Sequence, residues 1–131
     1  MTEQRGPGRL AEILGARCTV MDDGRCVFEL TIGPDHLNPY GVVHGGIAYT
    51  LVDYAMGGAM FSRLEPGERC ATLEVKINYL AAASSGKMRA EAVLVERTGR
   101  IGVLQARVHG DDGRLLALAT GTFYIRRESS Q

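Results

Sequence analysis

Neither sign of charge predominates in this 131-residue chain, in which 15 lysines and arginines stand against 15 aspartates and glutamates. Without a basic excess, an electrostatic grip on nucleic acid or on an anionic membrane is not expected, because both need a basic face. Cysteine is scarce as well. Cys18, Cys26 and Cys70 are odd in number and lack CxxC spacing, which gives neither a disulfide framework nor a zinc site and points to a reducing, cytoplasmic compartment. The sequence has no internal repeat and no low-complexity segment. Its longest weakly charged stretch, residues 41–62, holds Asp53 at its centre and is broken by glycines, so it reads as a buried helix and not a membrane span. The N-terminal MTEQRGPGR has no apolar core, so a secretory signal is not expected. What is present is ordinary: 45% hydrophobic and 23% charged residues. That balance predicts one globular domain over residues 1–131 with its own core, and frayed polar ends at 1–8 and 127–131.

Periodicity divides the chain. Leu10, Ala11, Ile13 and Leu14 have helical spacing, which predicts a short helix over 8–15. Strand-like runs over 17–21 and 25–32 flank the turn signal Asp22-Asp23-Gly24. After a loop containing Pro34 and Asn38-Pro39 comes His44-Gly45-Gly46, and then an almost wholly apolar segment over 47–61. Apolar on nearly every side, this helix is predicted to lie in the middle of the fold. Gly57 and Gly58 weaken it by roughly 1 kcal/mol each relative to alanine, and either permit close packing on a sheet or mark a frayed end. Downstream, Ala71, Leu73, Val75, Ile77 and Tyr79 alternate with Thr72, Glu74, Lys76 and Asn78. Three more strands over 87–97, 101–109 and 114–125 are joined by hairpin-length turns. The expected class is α+β: an antiparallel sheet with one face covered by the long central helix.

Asp53 is the chemical anomaly. A carboxylate in an apolar helix is paired, neutralised or functional, because burying it unpaired is costly. Gly45 and Gly46 open the same helix, where backbone N–H groups without helical partners form a ready anion site. Eight residues separate Asp53 from Gly45, roughly 12 Å at 1.5 Å per residue. One helix therefore cannot bring its own Asp53 and its own Gly45 to one small carbonyl. If the two act together, Gly45 comes from a second copy across a two-fold axis, which predicts an obligate dimer with shared sites.

The run Asn38-Pro39-Tyr40-Gly41-Val42-Val43-His44-Gly45-Gly46, followed by Leu51-Val52-Asp53, resembles the signature of the hotdog-fold thioesterases, most closely the phenylacetate-degradation branch related to 4-hydroxybenzoyl-CoA thioesterases. Softer matches continue through residues 72–80, Gly86, Gly99-Arg100 and Ala119-Thr120-Gly121. Ala82 departs from the pattern, since relatives often carry proline there. The resemblance implies a hotdog fold, with the sheet wrapped around the central helix. It implies a cofactor-independent acyl-CoA thioesterase acting on small or medium, also aromatic, acyl thioesters, and a homo-oligomer of two or four chains. By position, Asp53 matches the catalytic carboxylate, as nucleophile or as general base on water. Gly45 matches the amide that polarises the thioester carbonyl. Asn38 and His44 match residues beside the thioester, and Thr72 one whose hydroxyl orients water or substrate. The rival reading from another class is an acyl-CoA-binding module without turnover; the presence of Asp53 counts against it.

Other residues carry weaker signals. His36 reads as a surface loop residue and His109 as a strand end. Arg63, Arg69, Lys87, Arg97 and Arg100 are candidates for coenzyme A phosphates. Tyr49, Tyr54, Met56, Met60 and Phe61 either line an acyl pocket or are plain core.

Overall fold

The computed structural model describes residues 6–128. Its elements are α1 (Arg9–Leu14), β1 (Arg17–Asp22), β2 (Arg25–Thr31), α2 (Gly45–Phe61), β3 (Glu68–Tyr79), β4 (Lys87–Thr98), β5 (Ile101–Gly110) and β6 (Leu115–Arg127). The six strands form one sheet in the order β1-β2-β4-β5-β6-β3, and every pairing is antiparallel. The β1–β2 turn has φ of 52° at Asp23 and 83° at Gly24. Two successive positive φ values match the right-handed twist of the flanking strands, which is why an Asp-Gly pair makes this hairpin. The chain leaves β2, runs α2 across the sheet and returns as β3 at the far edge. This is the hotdog arrangement.

Helix α2 buries Ala48, Leu51, Val52, Ala55, Met56, Ala59 and Met60. They meet the inner face of the sheet, where Ala90, Ala92 and Ala106 keep the surface low and Phe28, Met88, Leu104 and Phe123 fill the flanks. Each large apolar side chain buried here contributes roughly 1.5–3 kcal/mol. Gly58 is a contact point and not a frayed end: a Cβ there would run into the Cys26 thiol. Met56 and Met60 lie where side chains at Gly121 and Gly102 would otherwise stand.

Several expectations need correcting. The helix is not enclosed on all sides. Tyr49, Asp53, Gly57 and Phe61, spaced by four, form a stripe that the sheet leaves open, with Phe61 57% exposed. A single sheet covers one side of a helix, whatever the composition of the other side. Strand β3 starts at Glu68, three residues earlier than the alternation suggested. The C-terminal fray does not begin at 127. Arg127 is the last residue of β6, the Glu128 amide donates to Gly67, and its carboxylate pairs with Arg69. At the other end, the Pro7 carbonyl accepts from the Tyr54 hydroxyl at 2.9 Å. The remaining tail residues, 1–5 and 129–131, lie outside the described residues.

His36 is buried, not a surface residue. Its Nδ1 accepts from the Gly33 amide at 2.9 Å, so Nε2, 2.9 Å from the Leu14 carbonyl, carries the proton and donates. The ring thus ties the end of α1 to the loop preceding α2. His36→Ala strips both groups of their partner, and a buried unsatisfied group costs about 1–3 kcal/mol. The expected result is an unfolding midpoint in urea lowered by the equivalent of about 2 kcal/mol, with an unchanged slope. An unchanged midpoint would show that water replaces the ring at no cost.

Candidate active site

Asp53 occupies the middle of the open stripe of α2 and is half-buried. The Thr72 hydroxyl donates to its Oδ1 at 2.7 Å. Strict alternation would place Thr72 on the outer face, among Glu74, Lys76 and Asn78. A bulge prevents this: Thr72 pairs with Phe123 and Glu74 with Thr122, which leaves Leu73 as an extra residue. Phe123 is buried on the inner face, and Thr72 opposite it shares that side. Bulges re-aim side chains in this way, often next to sites. One pleat away on the same side, Cys70 also lies near Asp53. Burial, and secondarily the Asp53 charge, push its thiol up to about 11. Cys70 is therefore a neutral neighbour and not an ionised nucleophile. Nothing in the spacing singled it out.

A second group of residues assembles at the N-terminus of α2. Asn38 organises the approach: its side-chain Oδ1 accepts from the amides of Tyr40 and Val42 at 2.9 and 3.3 Å, and its backbone closes on Val42 and Gly41. Leu37 bridges to Val43, and the His44 amide donates to the His36 carbonyl. The result is a closed loop that delivers His44 as N-cap with extended backbone, φ −63° and ψ 136°. The His44 ring is exposed and makes no hydrogen bond among the described residues. The Gly45 and Gly46 amides have no acceptor among the described residues. A Cβ at Gly45 would stand 3.1 Å from the Tyr79 ring. The Tyr79 hydroxyl donates to the Gly45 carbonyl at 2.8 Å. Burial, and then the nearby Tyr49, raise the Tyr79 hydroxyl above the ordinary phenol value.

One chain therefore brings Asp53 together with Thr72, and separately Asn38, His44 and Gly45 at the start of the helix. The two groups lie two turns apart along α2. Of the candidate cations, Arg63 pairs with Asp23, Arg69 with Glu128, Lys87 with Glu29, and Arg97 with Glu68. Among the described residues, the Arg100 side chain reaches only the Tyr124 hydroxyl, at 3.4 Å. Met56 and Met60 are core, and Tyr54 stacks on Phe28 with ring centroids 5.0 Å apart. Tyr49 and Phe61 flank Asp53 on the open stripe. His109 pairs across strands with Arg89 and Leu115.

Residues 40–117 match the family described as the thioesterase superfamily. A protein of Archaeoglobus fulgidus that carries an esterase designation is 36% identical over 117 residues, 88% of this chain and 74% of that protein. The 1,4-dihydroxy-2-naphthoyl-CoA hydrolase of Listeria monocytogenes is 24% identical over 91% of this chain and 97% of its own length. Among solved structures, a thioesterase-designated protein from Streptococcus pneumoniae with coenzyme A superposes with a TM-score of 0.79 at 28% identity. The match covers 88% of each chain.

Proposed function

The chain belongs to the thioesterase superfamily, and from that premise we propose that it hydrolyses small or medium acyl-CoA thioesters, aromatic ones included, at sites shared between two copies of the chain. It is a thioester hydrolase of hotdog fold. The observation that carries the finer reading is the Asp53 carboxylate on an uncovered helix stripe, held by Thr72 at 2.7 Å. In this reading Asp53 takes the proton of the attacking water, or itself attacks the carbonyl carbon to form a mixed anhydride that water then cleaves to the free acid. The developing oxyanion rests on the Gly45 amide of the other copy, and coenzyme A leaves as the thiol. Asn38 holds the loop that presents that amide, and His44 stands at its mouth. Arg100, without a carboxylate partner among the described residues, is the assigned contact for a coenzyme A phosphate.

Two features support a two-fold pair. Strand β3 is a 12-residue sheet edge with Leu73 and Tyr79, and Leu80 just beyond it, all more than half exposed, and long apolar edges are normally covered. The open stripe of α2 runs beside it. The exposed outer-face valines Val93, Val95 and Val103 are the surface on which two such pairs would meet as a tetramer. Coenzyme A appears in the Streptococcus pneumoniae structure, and an aromatic acyl-CoA in the name of the Listeria monocytogenes relative. Both belong to those proteins and set the choice of test panel, to which the resemblance adds phenylacetyl-CoA. The reaction takes place in a reducing cytoplasm, in keeping with three free thiols.

The test is thiol release from acetyl-, hexanoyl-, palmitoyl-, phenylacetyl- and hydroxybenzoyl-CoA. Turnover on at least one short, medium or aromatic ester is expected. Tight binding of every ester without thiol release would replace the enzyme with an acyl-CoA-binding module. Activity confined to palmitoyl-CoA would overturn the substrate class.

A further inference from the structure

Tyr79 lies 26 residues beyond Asp53, at the end of β3, and the roles implied by the family resemblance do not include it. Its ring packs where a side chain at Gly45 would stand, and its hydroxyl donates to the Gly45 carbonyl at 2.8 Å. That carbonyl belongs to the same peptide unit as the Gly46 N–H. A hydrogen bond to the oxygen of an amide polarises the unit and makes its N–H a stronger donor. The Gly46 amide has no acceptor among the described residues, and a Cβ at Gly46 would meet open space. Tyr79 remains 52% exposed, and the atoms it sets against Gly45 are the hydroxyl and one ring edge.

We infer that Tyr79 is a positioning residue for thioester hydrolysis: its hydroxyl fixes the first peptide units of α2 and strengthens the Gly46 N–H as a second donor to the thioester oxygen, beside Gly45. The inference rests on the reading of the Gly45 amide as the carbonyl donor. The tyrosine acts on the donor, and the donor acts on the oxyanion, whose charge is greatest in the transition state.

Tyr79→Phe removes the hydroxyl and keeps the ring that packs on Gly45. The expected result is a kcat/KM lower by about three- to tenfold, the effect of one ordinary hydrogen bond, with the larger share in kcat and a smaller rise in KM. A general structural defect would not produce a second signature. The coenzyme A ketone analogue, in which CH2 replaces the thioester sulfur, keeps the carbonyl. The S-alkyl thioether analogue lacks it. The variant should bind the ketone more weakly than wild type and the thioether equally well. Wild-type kcat in Tyr79→Phe overturns the inference and leaves the thioesterase reading standing. Equal weakening toward both analogues overturns it too, because the loss would then be unrelated to the carbonyl. Wild-type protein inert toward every ester overturns the reading beneath it.

Discussion

Replacing Asp53 by asparagine is expected to lower kcat for thiol release by about 10²–10⁴-fold, the range of a lost general base, with little change in KM. Asparagine keeps the size of the side chain and an oxygen that can still accept from Thr72, which bonds Oδ1 at 2.7 Å in the native protein. The helix should therefore survive with its stability intact, and the loss should be chemical. Asp53 sits on the uncovered side of α2, while the core-facing side is filled by Leu51, Val52, Ala55 and Met56. A thermal midpoint within a few degrees of wild type would confirm that separation. If the variant retained more than a tenth of the wild-type kcat, the carboxylate would have no part in the bond-breaking step. Thr72→Val is the milder companion: it withdraws the hydroxyl from the carboxylate and leaves the charge.

The second large effect concerns the amide at Gly45, which no side-chain change can remove. Proline can. Gly45 is the first residue of α2, the position where proline is best tolerated. The preceding His44 already has the extended backbone, ψ 136°, that a following proline demands. The Tyr79 ring must yield a few tenths of an ångström, and being half exposed it has room. Gly45→Pro should cost about 10²–10³ in kcat, the usual loss on removing one oxyanion donor. Mixing the two inactive variants tests whether sites are shared. In a heterodimer of Asp53→Asn with Gly45→Pro chains, one site has lost both groups and the other has both intact. Random reassembly of equal amounts should restore about a quarter of the wild-type rate. No recovery after subunit exchange, verified by mass, would place both groups of each site within one chain.

The sequence made some layers of this structure readable and left others out of reach, and the difference is physical. Period-two alternation and the Asp23-Gly24 turn revealed β1, β2 and the β4–β6 meander, because those signals arise from neighbours in the chain. The Asn38-to-Asp53 motif was legible because its loop and helix are contiguous. His36 was not: its partner Leu14 is 22 residues away, and no spacing rule announces a hydrogen bond across two loops. The inward facing of Thr72 was hidden by the bulge, which reverses the parity that alternation assumes. Tyr79 looked like one more alternating aromatic, and its hydroxyl contact with Gly45 exists only after β3 has crossed to the far edge of the sheet. The open stripe of α2 was invisible because apolar composition does not say how many sides of a helix one sheet can cover.

The extra residue at Leu73 has a consequence for how this gene can change length. Position 73 is where β3 is one residue longer than its partner strand requires. Loss of that single codon would restore regular pairing and leave Thr72 facing Asp53. Loss of a codon from the regular stretch after Val75 would close the bulge from the other side, leaving Thr72 opposite Phe123 but turning Glu74 inward and Val75 outward. In-frame deletions only a few codons apart should therefore separate into silent and destabilising classes.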